Sequence, residues 1–551
     1  MIDPLPPRSH RTFTDAIVIA FVYLGAAVAF TWPLAASLAS RLGAPEGPGD
    51  PYLNLWILGW DLQTLTTRPT ALFDGTIFNA NIFHPAAATL AYSDHLLPQA
   101  IALLPLYLVT RDAVICYNVL LLASFVASSL AMHALVSKLG ASRAAAVIAG
   151  LAWAFWPYRI SHLIHLQLQS LYFLPLILLA LHRTIARARR SDAVWLGVLA
   201  ALQTLSSLYY GLFLLVFMSA LGTVLWFARG RPAAPARALV AGAFVVGVCV
   251  SPVAVEFTRN LATFSERPTG EVEYYSATAG DYLKPHARSR LYSGWCANGF
   301  PERQLFPGVV ALALAVVALW PPVRAARLGY AVAMAVAFDG SLGTHGVIFP
   351  WLRDYGGPFR GLRVPARFSI LVGLALAILA GFAAARILER WPRWRVAIVG
   401  ALTALVIADP LPRLELEPVW HEPPAIYSGL PTAPPAVLAE FPVPPDWRTF
   451  WFDTRYLYFS TFHWQRLVNG NSGVTPPSYL DFIQNVQTFP DDRTIAYLRE
   501  RGVEYIGVHG AFYAPENWRR VQAGLGARAD LELVTTARWN GSESSLYHLR
   551  R

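Results

Sequence analysis

Charge is scarce in this chain: Asp, Glu, Lys and Arg together make up 14% of its 551 residues. A soluble protein of that length needs a far more charged surface, so an ordinary cytosolic enzyme is excluded. Lysine is scarcer still, with Lys138 and Lys284 the only two. The formal charge of +10 is therefore carried by arginine. Codon bias in a GC-rich bacterial genome is the plainest source of that preference. It leaves little room for Schiff-base chemistry and makes forked guanidinium contacts to phosphate available. The three cysteines, Cys116, Cys249 and Cys296, have neither metal-site nor disulfide spacing.

Apolar residues are abundant, at 55% of the chain with a mean hydropathy of +0.41. They fall into repeated blocks long enough to cross a hydrocarbon core of roughly 30 Å. Within lipid such blocks must be helical, because each backbone polar group needs a partner in its own segment. The first block, 16–38, follows Arg8 and Arg11, which places the N-terminus in the cytoplasm. Ala39-Ser40 also resembles a signal-cleavage site, and the next loop faces outward either way. Further blocks run over about 113–136, 144–157, 163–182, 193–209, 211–228, 238–257, 305–320, 328–344, 367–385 and 395–410. Arginine clusters such as Arg183/Arg187/Arg189/Arg190, Arg324/Arg327 and Arg386/Arg390/Arg393/Arg395 mark cytoplasmic turns. The stretch 96–110 is apolar but short, and carries Pro98 and Pro105. Counting it as a span would put the arginine clusters outside, so it reads as a juxtamembrane or re-entrant helix. The expected fold is an α-helical polytopic membrane protein of about eleven spans over 1–410, followed by a small α/β extracytoplasmic domain over 411–551. Outer loops are expected at 39–112 and 258–304. The tail opens on Pro-rich HEPPAIYSGLPTAPP, which reads as an extended linker. Strand-like AVLAEFPV, the helical pattern DDRTIAYLRERG and strand-like VEYIGVHG follow.

Four features can carry chemistry on the outer side. Asp50, in GPGDPYLNLW, is placed by its glycines and prolines in a defined loop, where it can act as a general base or help hold a cation. An ordinary solvated loop acid is the plainer alternative. Asp94 and His95 lie in AYSDHLLPQ, just before the short helix, and Ser93 or Asp94 equally suits a helix cap. Tyr158, His162, His165 and Gln169, spaced 4, 3 and 4 with Arg159 beside them, fit one helix face. At membrane depth such a stripe faces a water-filled cavity. The HLIH spacing resembles a metal pair, yet no carboxylate lies near it in sequence, and no metal site is expected. Finally, Arg360, Arg363 and Arg367 recur at 3 and 4 in GPFRGLRVPARF, on the side where the positive-inside rule does not ask for them. A helical segment aims all three one way, toward a phosphate; interfacial snorkelling is the alternative. Glu271, Glu273 and Asp281 read as solvated loop acids. The aromatic run FSTFHWQRLVNGNSG suits glycan or protein contact, or a buried core, equally well.

An acid soon after the first span, juxtamembrane helices in the first loop, about eleven spans and an outer C-terminal domain resemble the GT-C glycosyltransferases. That superfamily includes the protein mannosyltransferases and the bacterial aminoarabinose transferases. GPFRGLRVPARF also looks like the arginine segment of YfhO-type membrane proteins. The resemblance covers roughly residues 10–410 in layout and only short motifs in sequence. It implies transfer of a sugar from a polyprenyl-phosphate carrier to a glycan, lipid or protein acceptor, at the outer face of the bacterial cytoplasmic membrane. Asp50 would be the base, Asp94 a second acid, and Arg360, Arg363 and Arg367 the phosphate clamp. His95, Tyr158, Arg159, His162, His165 and Gln169 would line the substrate site. No cofactor is required, a divalent cation remains an option, and no nucleic acid is expected. The chain departs from the family pattern in having a single Asp at position 50, followed by Pro51, instead of an adjacent acidic pair. A non-catalytic scaffold and a transporter of lipid-linked glycans are the alternatives; the internal repeats expected of a transporter are not evident.

Overall fold

The computed structural model describes residues 13–43, 49–231, 233–261, 266–295, 300–420, 422–445 and 451–550. Arg8, Arg11, His421 and Cys296 lie outside them. Helices occupy most of the long apolar blocks; in 163–182 the α-helix starts only at Phe173. Among the described residues, four are long and apolar enough to cross a membrane: Ala113–Lys138, Leu208–Phe227, Ala233–Asn260 and Pro365–Arg390. Thr14–Phe30, Leu97–Thr110 and Val309–Leu319 are shorter apolar helices.

By internal contacts the chain forms two compact units. The first comprises residues 1–38, 118–252 and 266–416, and is a bundle of helices. Helix Ser369–Arg390 runs through its centre, packed by Arg143–Ala154, Val309–Leu319 and Ala325–Ser341. Small residues allow that closeness: a Cβ on Gly381 would meet Val136 at 2.8 Å and Ala149 at 2.9 Å. This is how helices associate where lipid removes the hydrophobic drive between them. Helix Ala233–Leu261 is the opposite case, with Val240, Phe244 and Val248 all exposed on the protein. Such a surface needs lipid around it.

The second unit comprises 39–117, 253–265 and 417–551. The division thus falls after Leu416 and joins the first long loop to the C-terminal part. Strand β1 (Arg41–Leu42) pairs antiparallel with β2 (Glu417–Pro418), and helix Gly49–Thr67 packs on both Leu97–Thr110 and Trp451–Ser460. A five-stranded mixed sheet follows. It is formed by β3 (Val437–Phe441), β4 (Arg466–Leu467), β5 (Tyr505–His509), β6 (Leu531–Trp539) and β7 (Ser542–Leu549), in the order β4-β3-β5-β7-β6. Strand β3 runs parallel to β4 and β5, and β7 antiparallel to β5 and β6. The β6–β7 turn has positive φ at Asn540 (47°) and Gly541 (79°), as a tight hairpin of right-handed twist requires.

The Pro-rich stretch is not a free linker. Ile426 and Tyr427 are buried, and the Tyr427 hydroxyl donates to Glu440 Oε1 at 2.8 Å, beside the His509–Glu440 contact of 2.8 Å. In the aromatic run, Phe459 and Leu467 are buried, so core packing accounts for them.

Candidate functional site

Two sets of predicted site residues fall in the two units. In the second unit, Asp50 stands in the first turn of helix Gly49–Thr67 and is not in a loop. A first-turn acid suits the positive end of the helix dipole, and Pro51 sits where a missing amide costs nothing. Asp50 is half-buried; its carbonyl accepts from Asn54 Nδ2 at 2.8 Å, and Tyr117 is within its electrostatic reach. Asp94 is half-buried and His95 buried. Neither Ser93 nor Asp94 caps the following helix: the cap position of Leu97–Thr110 is Leu96, with no side-chain bond. His95 instead accepts from the Leu97 amide at 3.4 Å, and burial pushes its imidazole down to about 4.

Sequence reading missed Asp61, which lies on the same helix as Asp50, eleven positions further along. It is fully buried, and neither carboxylate oxygen makes a well-formed hydrogen bond. Burial pushes its carboxyl well above the usual range, and the Leu96 amide, pulling the other way, does not offset that. The available signal was an acid within apolar ILGWDLQTL. A raised folded-state pKa means that Asp61 stabilises the protein below the unfolded carboxyl's pKa, near 3.8, and that this contribution is lost as pH rises toward the folded value. Asp61→Asn keeps the shape and removes the titration. The variant's unfolding free energy is expected to gain on wild type as pH is raised from about 4, by up to about 1.4 kcal/mol per unit, with its thermal midpoint rising in step; parallel pH profiles would refute this.

In the first unit the predicted helix face over 158–169 is interrupted. Helix Pro157–Ser161 stops after five residues, and a separate turn covers Leu166–Gln169. The cause is side-chain competition for the backbone. His162 Nδ1 lies 2.9 Å from the Tyr158 carbonyl, and Gln169 Nε2 donates to the His162 carbonyl at 2.5 Å. The fold-back nevertheless keeps these residues together. Arg159, 1% exposed, donates through Nε to Gln169 Oε1 at 2.7 Å and through Nη1 to the Ala154 carbonyl at 3.1 Å. It also bonds Ser124, and its guanidinium lies 3.8 Å from the Phe125 ring centroid. Every acceptor is neutral. Burial pushes this guanidinium down to about 9, which still leaves it charged at neutral pH.

The three clustered arginines do not point one way. Val364 precedes Pro365, which disfavours helix, and two short 3-10 turns (Gly357–Gly361 and Pro365–Phe368) separate them. Nor are they uncompensated. Exposed Arg360 pairs with Glu266 at 2.9 Å; Arg363 lies 3.6 Å from Glu271; buried Arg367 grips Glu302 through Nε at 3.1 Å and through Nη2 at 2.5 Å.

Glu302 is the other residue that sequence reading missed, and it organises the cluster. Its Oε2 also meets His162 Nε2 at 2.8 Å and the Tyr158 hydroxyl at 3.2 Å. Asp281 holds it in place. That acid is buried, not solvated: it caps its own turn through Thr278, meets Lys284 at 2.6 Å, and accepts from Arg303 Nε at 2.8 Å, on the residue next to Glu302. Burial alone would raise the Glu302 carboxyl, but Arg367 first, then His162, hold it well below the usual range. Burial pushes His162 down, while Glu302 pulls it back. Both His162 nitrogens face acceptors, so the proton between Nε2 and Oε2 belongs to the pair. The only signal in sequence was that PERQLF supplies an acid to a loop facing unmatched arginines. His165, half-buried, has its ring 5.5 Å from that of His162, tilted by 32°. Among the described residues, no group of three or more His, Cys, Asp or Glu could hold a metal ion.

Around Glu302 two buried guanidiniums, Arg159 and Arg367, stand against its one carboxylate, while buried Asp281 is matched by Lys284 and Arg303. A carboxylate that bridges Arg, His and Tyr ties the 158–162 and 365–368 segments together.

No protein-family model and no curated sequence matches the chain. Solved structures do. The arabinofuranosyltransferase AftD from mycobacteria is similar over 98% of this chain and 40% of its own, at 14% identity and a TM-score of 0.63. A mutant form of AftD gives 17% identity and 0.58. ArnT from Cupriavidus metallidurans, in its apo state, is similar over 97% of this chain and 98% of its own, at 13% identity and 0.50. The chain spans about two fifths of the length of AftD. Over nearly its whole length, this protein has the fold of the GT-C membrane glycosyltransferases.

Proposed function

We propose that the protein is a glycosyltransferase that moves a sugar from a polyprenyl-phosphate carrier to an acceptor hydroxyl at the outer face of the bacterial cytoplasmic membrane. In this reading about eleven helices span the bilayer, with the N-terminus in the cytoplasm and the C-terminal part outside. The observation that carries it is the buried positive excess around Arg159, in a fold shared with glycosyltransferases. A lipid phosphate leaving group needs a standing positive field more than a proton, and a buried arginine still charged at neutral pH supplies it. The bond from the anomeric carbon to the phosphate oxygen breaks and the phosphate departs as an anion. The acceptor oxygen forms the new glycosidic bond, and its proton passes to Asp50.

The pairing of the arginines narrows their roles. Arg367, its fork filled by Glu302, positions the segment. Arg363, half-exposed, with a 3.6 Å ion pair to Glu271 and its guanidinium 5.7 Å from the Tyr275 ring centroid, is the one offered to a phosphate. The same pairings favour one alternative, a non-catalytic scaffold on this fold. The deciding experiment supplies reconstituted protein with short-chain polyprenyl-phosphate sugars and follows release of the lipid phosphate. Acceptor-dependent release, reduced about tenfold or more in Arg363→Gln, is the expected result. No release with any donor and acceptor pair would leave the scaffold.

A further inference from the structure

We infer that the first unit carries a binding site for an anionic glycerophospholipid where the turn Pro392–Trp394 leads into helix Arg395–Ala408. An open depression of about 410 Å³ lies there, lined by Trp391, Arg393, Trp394, Ala397, Ile398 and Ala401. Trp391 and Trp394 are 47% and 56% exposed, the largest and most amphipathic side chains left uncovered at that end of the helix. Tryptophan is enriched where hydrocarbon meets headgroup. Beyond the rings the helix offers Ala397 and Ala401 one turn apart, which leaves a shallow track that fits an acyl chain.

Charge selects the headgroup. From Arg386 to Arg395 inclusive the sequence has four arginines and one acid, Glu389. Arg386 is committed, donating to the Trp320 and Pro321 carbonyls at 2.5 and 2.7 Å. Arg327, at the same end, donates to the Ala318 carbonyl at 3.1 Å. Arg393 has no hydrogen bond or ion pair among the described residues, and it lines the depression. Helix Arg395–Ala408 begins beside the depression, with Trp394 at its cap position, so a phosphate there lies near both the guanidinium and a helix N-terminus. Basic pockets of this kind beside membrane helices suit lipids of net negative charge, while a zwitterionic headgroup brings its own cation and gains less. The site is distinct from the Arg159 and Glu302 cluster, and its test does not depend on sugar transfer.

The full-length protein is placed in nanodiscs made of equal parts phosphatidylcholine and phosphatidylglycerol, and lipids retained on mild release are counted by native mass spectrometry. Wild type is expected to retain phosphatidylglycerol in preference to phosphatidylcholine, and Arg393→Gln to bind it about fivefold more weakly. Arg187→Gln, an arginine remote in sequence, serves as the charge-matched control and should leave retention unchanged. Wild-type protein alone keeps the idea testable if variants fold poorly: inorganic phosphate should fail to displace the lipid. Equal retention of both lipids, an equal loss in Arg187→Gln, or displacement by inorganic phosphate would each overturn the assignment.

Discussion

Replacing Asp50 by Asn is expected to lower turnover about 10²- to 10⁴-fold, the range for loss of a general base. The protein should remain folded. Asn has nearly the shape of Asp, and a first-turn acid contributes only about 0.3–1 kcal/mol through the helix dipole. Helix Gly49–Thr67 is held instead by buried Tyr52, Trp56 and Trp60; the two indoles donate to Asn81 Oδ1 at 3.1 Å and to the Ile77 carbonyl at 2.8 Å. Size-exclusion behaviour and thermal midpoint should therefore match wild type while lipid phosphate release collapses. Asp94→Asn and His95→Gln are informative companions. His95 is buried and already accepts from an amide, so its loss is expected to act on stability before turnover. An Asp50→Asn protein with wild-type turnover would remove the base from the mechanism, whatever becomes of the donor.

How much of this was legible in the sequence differs by physical origin. Helices were readable wherever hydropathy alone decides, as in Ser369–Arg390, because lipid permits no other backbone solution. Strands β3 and β5 lay inside the two strand-like segments for a similar reason, five buried or nearly buried residues in a row. Side-chain spacing was a poorer guide. Arg360, Arg363 and Arg367 have helical intervals, yet Pro365 divides them into separate turns. The 158–169 stripe lost its helix because His162 and Gln169 compete for carbonyls that a helix would use, and still kept its members together through those same bonds. Glu302 and Asp61 were passed over, and Asp281 was read as solvated when it is buried, because isolated acids have no period. Their importance lies in what the fold buries around them; for Glu302 and Asp281, in loops, that burial leaves no local trace, while Asp61 shows it only as an acid within apolar sequence.

Glu302→Ala is expected to be the most damaging single change to stability, costing about 3–5 kcal/mol. The figure follows from what would be left behind. Arg367 and His162, 6% and 2% exposed, would face each other without the carboxylate that separates them, and the Tyr158 hydroxyl would lose its acceptor. Glu302→Gln should be nearly as costly, since an amide restores shape and presents Arg367 with neutral or donor groups only. A pair of replacements separates charge from packing. Glu302→Leu combined with Arg367→Met removes both ions and keeps apolar volume, so the double variant should lose much less than the sum of its singles, a positive coupling on the order of 1–3 kcal/mol. Thermal midpoints of the four proteins in one detergent give the cycle. Additive losses would mean that the 2.5 Å contact contributes no energy of its own and that the segment is held by Asp281 and Arg303. A coupled loss would make the carboxylate the tie that keeps the arginine segment and the 158–169 fold-back at one place, with Arg159 left as the cation awaiting an anion.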